Sequence, residues 1–164
     1  MVLKGIWTFL LGLFFIYLQV LIMPTLSIWG ITPLILLPWL IYMVWTREPG
    51  IALPVAFLIG LAYDTLNPST FGLHALIFSI LAILINIMRI PFEQDSIFAK
   101  LISIGSSNLV HSLLSLLSLG VAWGFEAKLY RLSFGAFLYN LIFSLVIFAL
   151  MQGISRLRLT VVHE

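Results

Sequence analysis

Long hydrophobic runs, separated by short polar stretches, make up most of this 164-residue chain. Runs of about 18 to 25 apolar residues have the length that a helix needs to cross a bilayer. They predict an all-α polytopic membrane protein, a bundle of six spans joined by short connections. We expect a single transmembrane domain, residues 1–164, with spans at about 5–23, 33–45, 49–63, 68–88, 97–122 and 133–152.

Polar breaks in the pattern give the expected helix starts. Thr32-Pro33 and Asn67-Pro68 each pair a capping residue with proline, which favours the first helical position. The segment 24–31 between spans one and two is apolar but lacks a helical pattern. Two interpretations stay open for it: a loop in the membrane interface, or a segment folded back over the bundle, where protein groups satisfy its backbone.

Composition agrees with a membrane protein and excludes several other classes. Hydrophobic residues make up 62% of the chain and charged residues 9%, whereas about a quarter of an ordinary soluble domain is charged. Without cysteine the chain cannot form disulfides or thiolate metal sites, and its three dispersed histidines predict no metal site. The net charge of +2 comes from scattered residues, so we expect no nucleic-acid partner.

The distribution of lysine and arginine predicts both termini in the cytoplasm, because cytoplasmic loops carry the excess of these residues. In that orientation six basic residues lie inside: Lys4, Arg47, Arg89, Lys100, Arg156 and Arg158. Lys128 and Arg131 lie outside. The connection between spans three and four then faces outward.

An acidic residue ends span three. Four residues at intervals of four share one face of that span: Ala52, Ala56, Gly60 and Asp64. Small residues let a second helix approach closely, whereas a carboxylate in hydrocarbon is costly unless it has partners. Asp64 and Asn67 could staple spans three and four through the free amides at the start of span four. Alternatively, Asp64 binds a cation of a partner or a ligand.

Span five carries a second polar feature. One stripe is formed by Asn108, His111, Ser115 and Ser118. The stripe could bond to neighbouring helices, with Gln19 and Asn140 as partners, or it could line a ligand pocket or a proton path. A paired-carboxylate motif, a phosphate-binding glycine loop and a complete intramembrane-protease motif are all missing from the sequence, so we expect no catalytic residues and no cofactor.

Three stretches together resemble a known family. They are Ile31-Thr32-Pro33-Leu34-Ile35-Leu36-Leu37, Gly60-x-x-x-Asp64 and Ser69-Thr70-Phe71-Gly72. The pattern resembles the rod shape-determining protein MreD family, over essentially the whole chain. The resemblance implies a non-enzymatic scaffold in the bacterial inner membrane that binds MreC. It also implies complex partners, namely MreB, RodA and a penicillin-binding transpeptidase, and hence a link from the cytoskeleton to peptidoglycan synthesis and cell shape.

The resemblance also directs attention to particular residues. The expected partner-binding or structural residues are Ala56, Gly60, Asp64, Asn67, Gly72, Asn108 and His111. The small-residue face of span three is expected to hold the transmembrane helix of MreC. The fold implied for the family resembles the substrate-binding component of vitamin ECF transporters, so a vitamin-binding transporter subunit is the alternative function.

Overall fold

A computed structural model describes residues 2–66, 68, 71–92 and 96–161, and the side chains of the last helix as far as residue 154. The helices are α1 Val2–Leu21, α2 Leu36–Thr46, α3 Pro49–Asp64, α4 Leu73–Arg89, α5 Ile97–Trp123 and α6 Ala127–Val161. A 3-10 helix at Met23–Leu26 and a bridge between Ile28 and Ile31 lie between α1 and α2. Apart from this bridge the described residues contain no β-structure, so the all-α prediction is confirmed.

Three of the helices are long and apolar enough to cross a membrane: α1, α5 and the part of α6 up to residue 154. The other three are shorter apolar helices of 11, 16 and 17 residues. At 1.5 Å per residue, α2 covers only about 16 Å of a hydrocarbon core of about 30 Å. Length and composition therefore support three of the six spans, and the six-span bundle stays a prediction.

Two predicted helix starts are wrong. The second helix begins at Leu36 rather than Pro33, and the fourth begins at Leu73 rather than Pro68. Proline supplies no backbone N–H, so Pro33 also suits the irregular segment that precedes α2. The start of α3 at Pro49 agrees with the prediction. The sixth helix is longer than the predicted 133–152.

The short helix α2 lies at the centre of the molecule and contacts all five other helices. Its side chains from Leu36 to Trp45 are buried, except for the half-buried Tyr42. A helix that is apolar on every side is stable only when it is surrounded by other elements. On the outside, α1 packs so closely that Gly12 lies directly against Ile59 of α3 and Trp39 of α2.

Two basic side chains close the end of α2. The guanidinium of Arg89 on α4 donates to the carbonyl oxygens of Val44 and Arg47, the latter at 2.9 Å. The last carbonyls of a helix lack partners within the helix and carry a partial negative charge, so a cation stabilises them. The ammonium of Lys100 lies 5.9 Å from the centre of the Trp45 ring, within the range of a cation–π interaction.

Candidate functional site at the Asp64 end of the bundle

The carboxylate of Asp64 caps a neighbouring helix. Asp64 is the last residue of α3 and is completely buried. Its Oδ1 accepts a hydrogen bond from the backbone N–H of His74 at 3.1 Å, and its Oδ2 accepts one from Ala75 at 3.0 Å. These amides belong to the first turn of α4, where backbone donors have no partner within the helix and the dipole favours negative charge. The buried carboxylate therefore joins α3 to α4.

The imidazole of His74 adds a third bond. Its Nδ1 lies 2.7 Å from Oδ1 of Asp64. An ionised carboxylate can only accept, so Nδ1 carries the proton and, in the neutral ring, Nε2 is an acceptor. The ring is held between aromatic neighbours, with Tyr63 at 4.7 Å and Phe78 at 6.0 Å between centroids. The orientation of this histidine is thus set from three sides.

Glycine at two positions brings the two helices together. A Cβ on Gly60 would lie 2.6 Å from both the Cα of Ala75 and the carbonyl oxygen of His74, which are backbone atoms that cannot move aside. Only glycine permits this approach, and it places Asp64, one turn later, beside the amides of α4. Gly72 precedes α4 with φ +90°, a left-handed conformation that favours glycine.

The small-residue face of α3 is covered by the protein itself. Ala52 and Ala56 are buried, as is Gly60, and α3 packs chiefly against α4. At Gly60 the expected groove for the MreC helix is therefore occupied by α4, and the buried Ala52 and Ala56 present no open surface to a partner. Asn67, the second expected staple, lies outside the described residues.

Two amide side chains hold the irregular segment before α2. Gln19 on α1 donates to the carbonyl oxygen of Pro33 at 3.0 Å and accepts from the N–H of Ile35 at 2.8 Å. Asn140 on α6 accepts from the N–H of Leu34 at 2.8 Å. Non-helical backbone inside a membrane protein needs such partners. The sequence analysis named Gln19 and Asn140 as partners of the span-five stripe, but these bonds go to backbone.

The stripe on α5 divides into two parts. Asn108 is buried, donates to the carbonyl oxygen of Ile104 at 2.9 Å, and accepts from the hydroxyl of Ser144 at 3.4 Å. This contact joins α5 to α6 through Ser144, which the sequence analysis did not single out. His111 does not take part in this contact between α5 and α6. Its buried Nε2 has no hydrogen-bond partner in the part of the chain that the structure describes.

His111 instead lies between two cavities. The first, here called the polar chamber, has a volume of about 420 Å³. Its polar lining is formed by Gln19, Thr32, Tyr63, His74, His111 and Asn140. The second, the middle cavity of about 260 Å³, shares His111 and Asn140 with the chamber and lies between α5 and α6. The structure therefore brings His74 and His111 to one space, although they are far apart in sequence.

The segment 24–31 covers the middle cavity. Gly30 and Ile31 line it, and the hydroxyl of Tyr139 on α6 donates to the carbonyl oxygen of Leu26 at 2.6 Å. These contacts agree with the folded-back interpretation, whereas the exposure of residues 24–30 agrees with a loop in the membrane interface, so both interpretations stay predictions. Trp29 at its tip has φ +52° and is almost fully exposed.

The chemistry of this end of the bundle is that of helix joining. Both oxygens of Asp64 are engaged by α4, and the described residues contain no group of three or more potential metal ligands.

The model of the family described as rod shape-determining protein MreD matches residues 1–157. No curated protein and no solved structure matches the chain. The chain therefore belongs to the MreD family of shape-determining membrane proteins, a family not known as enzymes.

Proposed function

We propose that this protein is a multi-pass scaffold of the bacterial inner membrane that binds the transmembrane helix of MreC. Through MreC it links the MreB cytoskeleton to peptidoglycan synthesis by RodA and its penicillin-binding transpeptidase, and so maintains rod shape. The observation that carries the proposal is the family match over residues 1–157. The same match favours a scaffold over the vitamin-binding transporter subunit.

The surface that we assign to MreC is the outer face of α1. Within this face, large side chains recur at alternating intervals of four and three: Leu3, Trp7, Leu10, Phe14, Tyr17 and Leu21. Each is between 47% and 75% exposed. A spacing that averages 3.5 residues keeps one stripe facing a partner helix along its whole length, with knobs-into-holes packing. We call these six residues the α1 stripe.

The exposed face of α6 follows a different rhythm. On α6 the exposed side chains Phe134, Leu138, Ile142 and Val146 recur every four residues. A strict interval of four exceeds the 3.6-residue turn, so such a row winds around the helix and keeps only a short contact with a straight partner. This surface suits contact with lipid, and it supplies a control for the α1 stripe.

Co-purification of MreC tests the proposal. The double variant Leu10→Ala/Phe14→Ala removes two central side chains of the α1 stripe, and we expect it to reduce recovered MreC by about tenfold, the effect of a loss of about 1.4 kcal/mol. Cells in which this double variant replaces the native protein should become round. The matched variant Leu138→Ala/Ile142→Ala should retain MreC and rod shape. Equal recovery from the two variants would contradict the assignment of α1.

A further inference from the structure

A third cavity adjoins the middle cavity at the exposed apolar surface of α5 and α6. It has a volume of about 410 Å³, lies along α5 and α6, and is lined mainly by Leu109, Leu113, Leu116, Phe134 and Phe137. We call it the lipid-side groove. Ser112 and Ser133 line both this groove and the middle cavity. These two small residues form the seam between the inner space and the outer surface of the helix pair.

The three spaces change in polarity along this path. The lining of the polar chamber includes amides, hydroxyl groups and two imidazoles beside the apolar Val20, Pro24, Leu34 and Leu66, whereas the lipid-side groove is lined mainly by leucine and phenylalanine. An amphiphile has the same order of parts, with a hydrogen-bonding head followed by a hydrocarbon chain. The side chains at the seam are serines, so a chain passing between α5 and α6 meets little bulk there.

The lining also indicates the charge of the head. Among the described residues, no aspartate, glutamate, lysine or arginine lines any of the three spaces. Asp64, behind His74, already accepts from two backbone amides and the imidazole. A charged head would find no counter-charge in the lining of these spaces, and removing an unpaired charge from water is unfavourable. A hydroxyl-bearing head, by contrast, has acceptors and donors available.

His111 and His74 are suited to such a head. The buried Nε2 of His111 has no hydrogen-bond partner among the described residues, and buried polar atoms of this kind usually have one. His74, with its proton fixed on Nδ1 by Asp64, offers an acceptor at Nε2 in the neutral ring. Both rings line the polar chamber. A ligand hydroxyl could donate to one ring and accept from the other.

We propose that this protein binds an uncharged, single-chain membrane amphiphile, with its hydroxyl-bearing head in the polar chamber and its hydrocarbon chain crossing the Ser112–Ser133 seam into the lipid-side groove. This site lies on α5 and α6 and at the Asp64 end of the bundle; it includes Gln19 and Val20 of α1 but none of the six residues of the α1 stripe. The proposal is therefore independent of the one for MreC, and each can fail without the other.

Native mass spectrometry of the purified protein tests this inference, with 1-monooleoylglycerol as the probe and dioleoyl phosphatidylglycerol as a charged lipid with the same acyl chain. We expect a one-to-one adduct with the monoacylglycerol at a concentration about tenfold below that needed for the phospholipid. Ser133→Phe fills the seam and should remove this preference. Ala149→Phe adds nearly the same bulk at an exposed position of the same helix, outside the three spaces, and should keep it.

A second variant tests the head separately. His111→Leu keeps the hydrocarbon path but removes an imidazole from the chamber, so it should weaken the monoacylglycerol adduct and leave the phospholipid adduct unchanged. MreC co-purification and the thermal unfolding midpoint show that each variant is folded. Equal retention of both lipids by the native protein, no adduct at all, or an unchanged preference in both folded Ser133→Phe and folded His111→Leu would overturn the proposal.

Discussion

At the scale of single residues, a buried charge is stabilised by backbone rather than by a counter-ion. Asp64 has no contact with lysine or arginine among the described residues, and two amides of α4 and one imidazole satisfy it instead. Gly60 makes this arrangement possible, because it lets the backbones of α3 and α4 come into contact. The pair explains why an acidic residue persists in a chain that is 62% hydrophobic.

Replacing Asp64 by asparagine tests the cap. The amide group keeps the size of the side chain but turns one acceptor into a donor that faces a backbone N–H. We expect the free energy of unfolding to fall by about 1.5–3 kcal/mol, the range for hydrogen bonds to a charged group. Titration with SDS in mixed micelles measures this change. Glu126→Gln, at an exposed position, is the control and should unfold like the native protein; equal stability of both variants would exclude the cap.

Replacing Gly60 by alanine tests the close approach of α3 and α4. The new Cβ would lie 2.6 Å from backbone atoms of α4, so the helices must separate and the bonds to Asp64 must lengthen. We expect a loss of about 1–3 kcal/mol, typical of overpacking. Gly105→Ala on α5 has no atom within 4 Å of its Cβ and should be neutral or stabilising. If the two alanine variants unfold at the same SDS fraction, the close contact of α3 and α4 at Gly60 does not contribute to stability.

The residues also show what a single sequence can and cannot reveal. The proximity of Asp64 to span four was predictable because the connection is short. Its partners, the amides of His74 and Ala75, were not, because the pattern at Asn67-Pro68 indicated an earlier helix start. Local propensity at Asn67-Pro68 indicates a helix start there, whereas α4 begins at Leu73, directly after the left-handed Gly72.

At the scale of elements, α2 depends on other helices at both of its ends. Gln19 and Asn140 bond to the backbone before its first turn. The guanidinium of Arg89 donates to two carbonyl oxygens at its C-terminal end. A helix of 11 residues is marginal by itself in water, so most of its stability must come from these contacts and from burial. The role of Gln19 and Asn140 was not predictable, since nothing local relates α1 or α6 to residues 33–35.

Replacing Gln19 by leucine tests this dependence. The change leaves the carbonyl oxygen of Pro33 and the N–H of Ile35 without partners, and each unsatisfied buried group costs about 1–3 kcal/mol. We expect a lower free energy of unfolding in SDS and faster amide hydrogen exchange at the start of α2. Gln152→Leu on α6, at a half-buried site, should change neither quantity. Unchanged amide hydrogen exchange in Gln19→Leu would show that the backbone before α2 keeps its structure without the Gln19 side chain.

At the scale of the whole molecule, the short helix α2 forms the centre, and each of the other five helices keeps exposed apolar side chains. The family match makes this a shape-determining membrane protein, and the filled groove on α3 moves the proposed MreC contact from the interior to α1. Composition and apolar runs were sufficient to predict the class and the number of helices. The surface that we assign to MreC was not predictable from the sequence. Small residues at intervals of four indicate a close helix contact, but they do not tell whether the second helix belongs to the same chain.

The most direct test of the scaffold proposal is a cysteine scan along α1 in membranes that contain MreC with one cysteine in its transmembrane helix. The native chain has no cysteine, so every disulfide cross-link reports the introduced residue. We expect cross-linking to peak at the positions of the α1 stripe, such as Trp7, Leu10 and Phe14, and to fall at the buried Gly12 and Ile16. A flat profile along α1, or stronger cross-links from Leu138 and Ile142 on α6, would contradict the account.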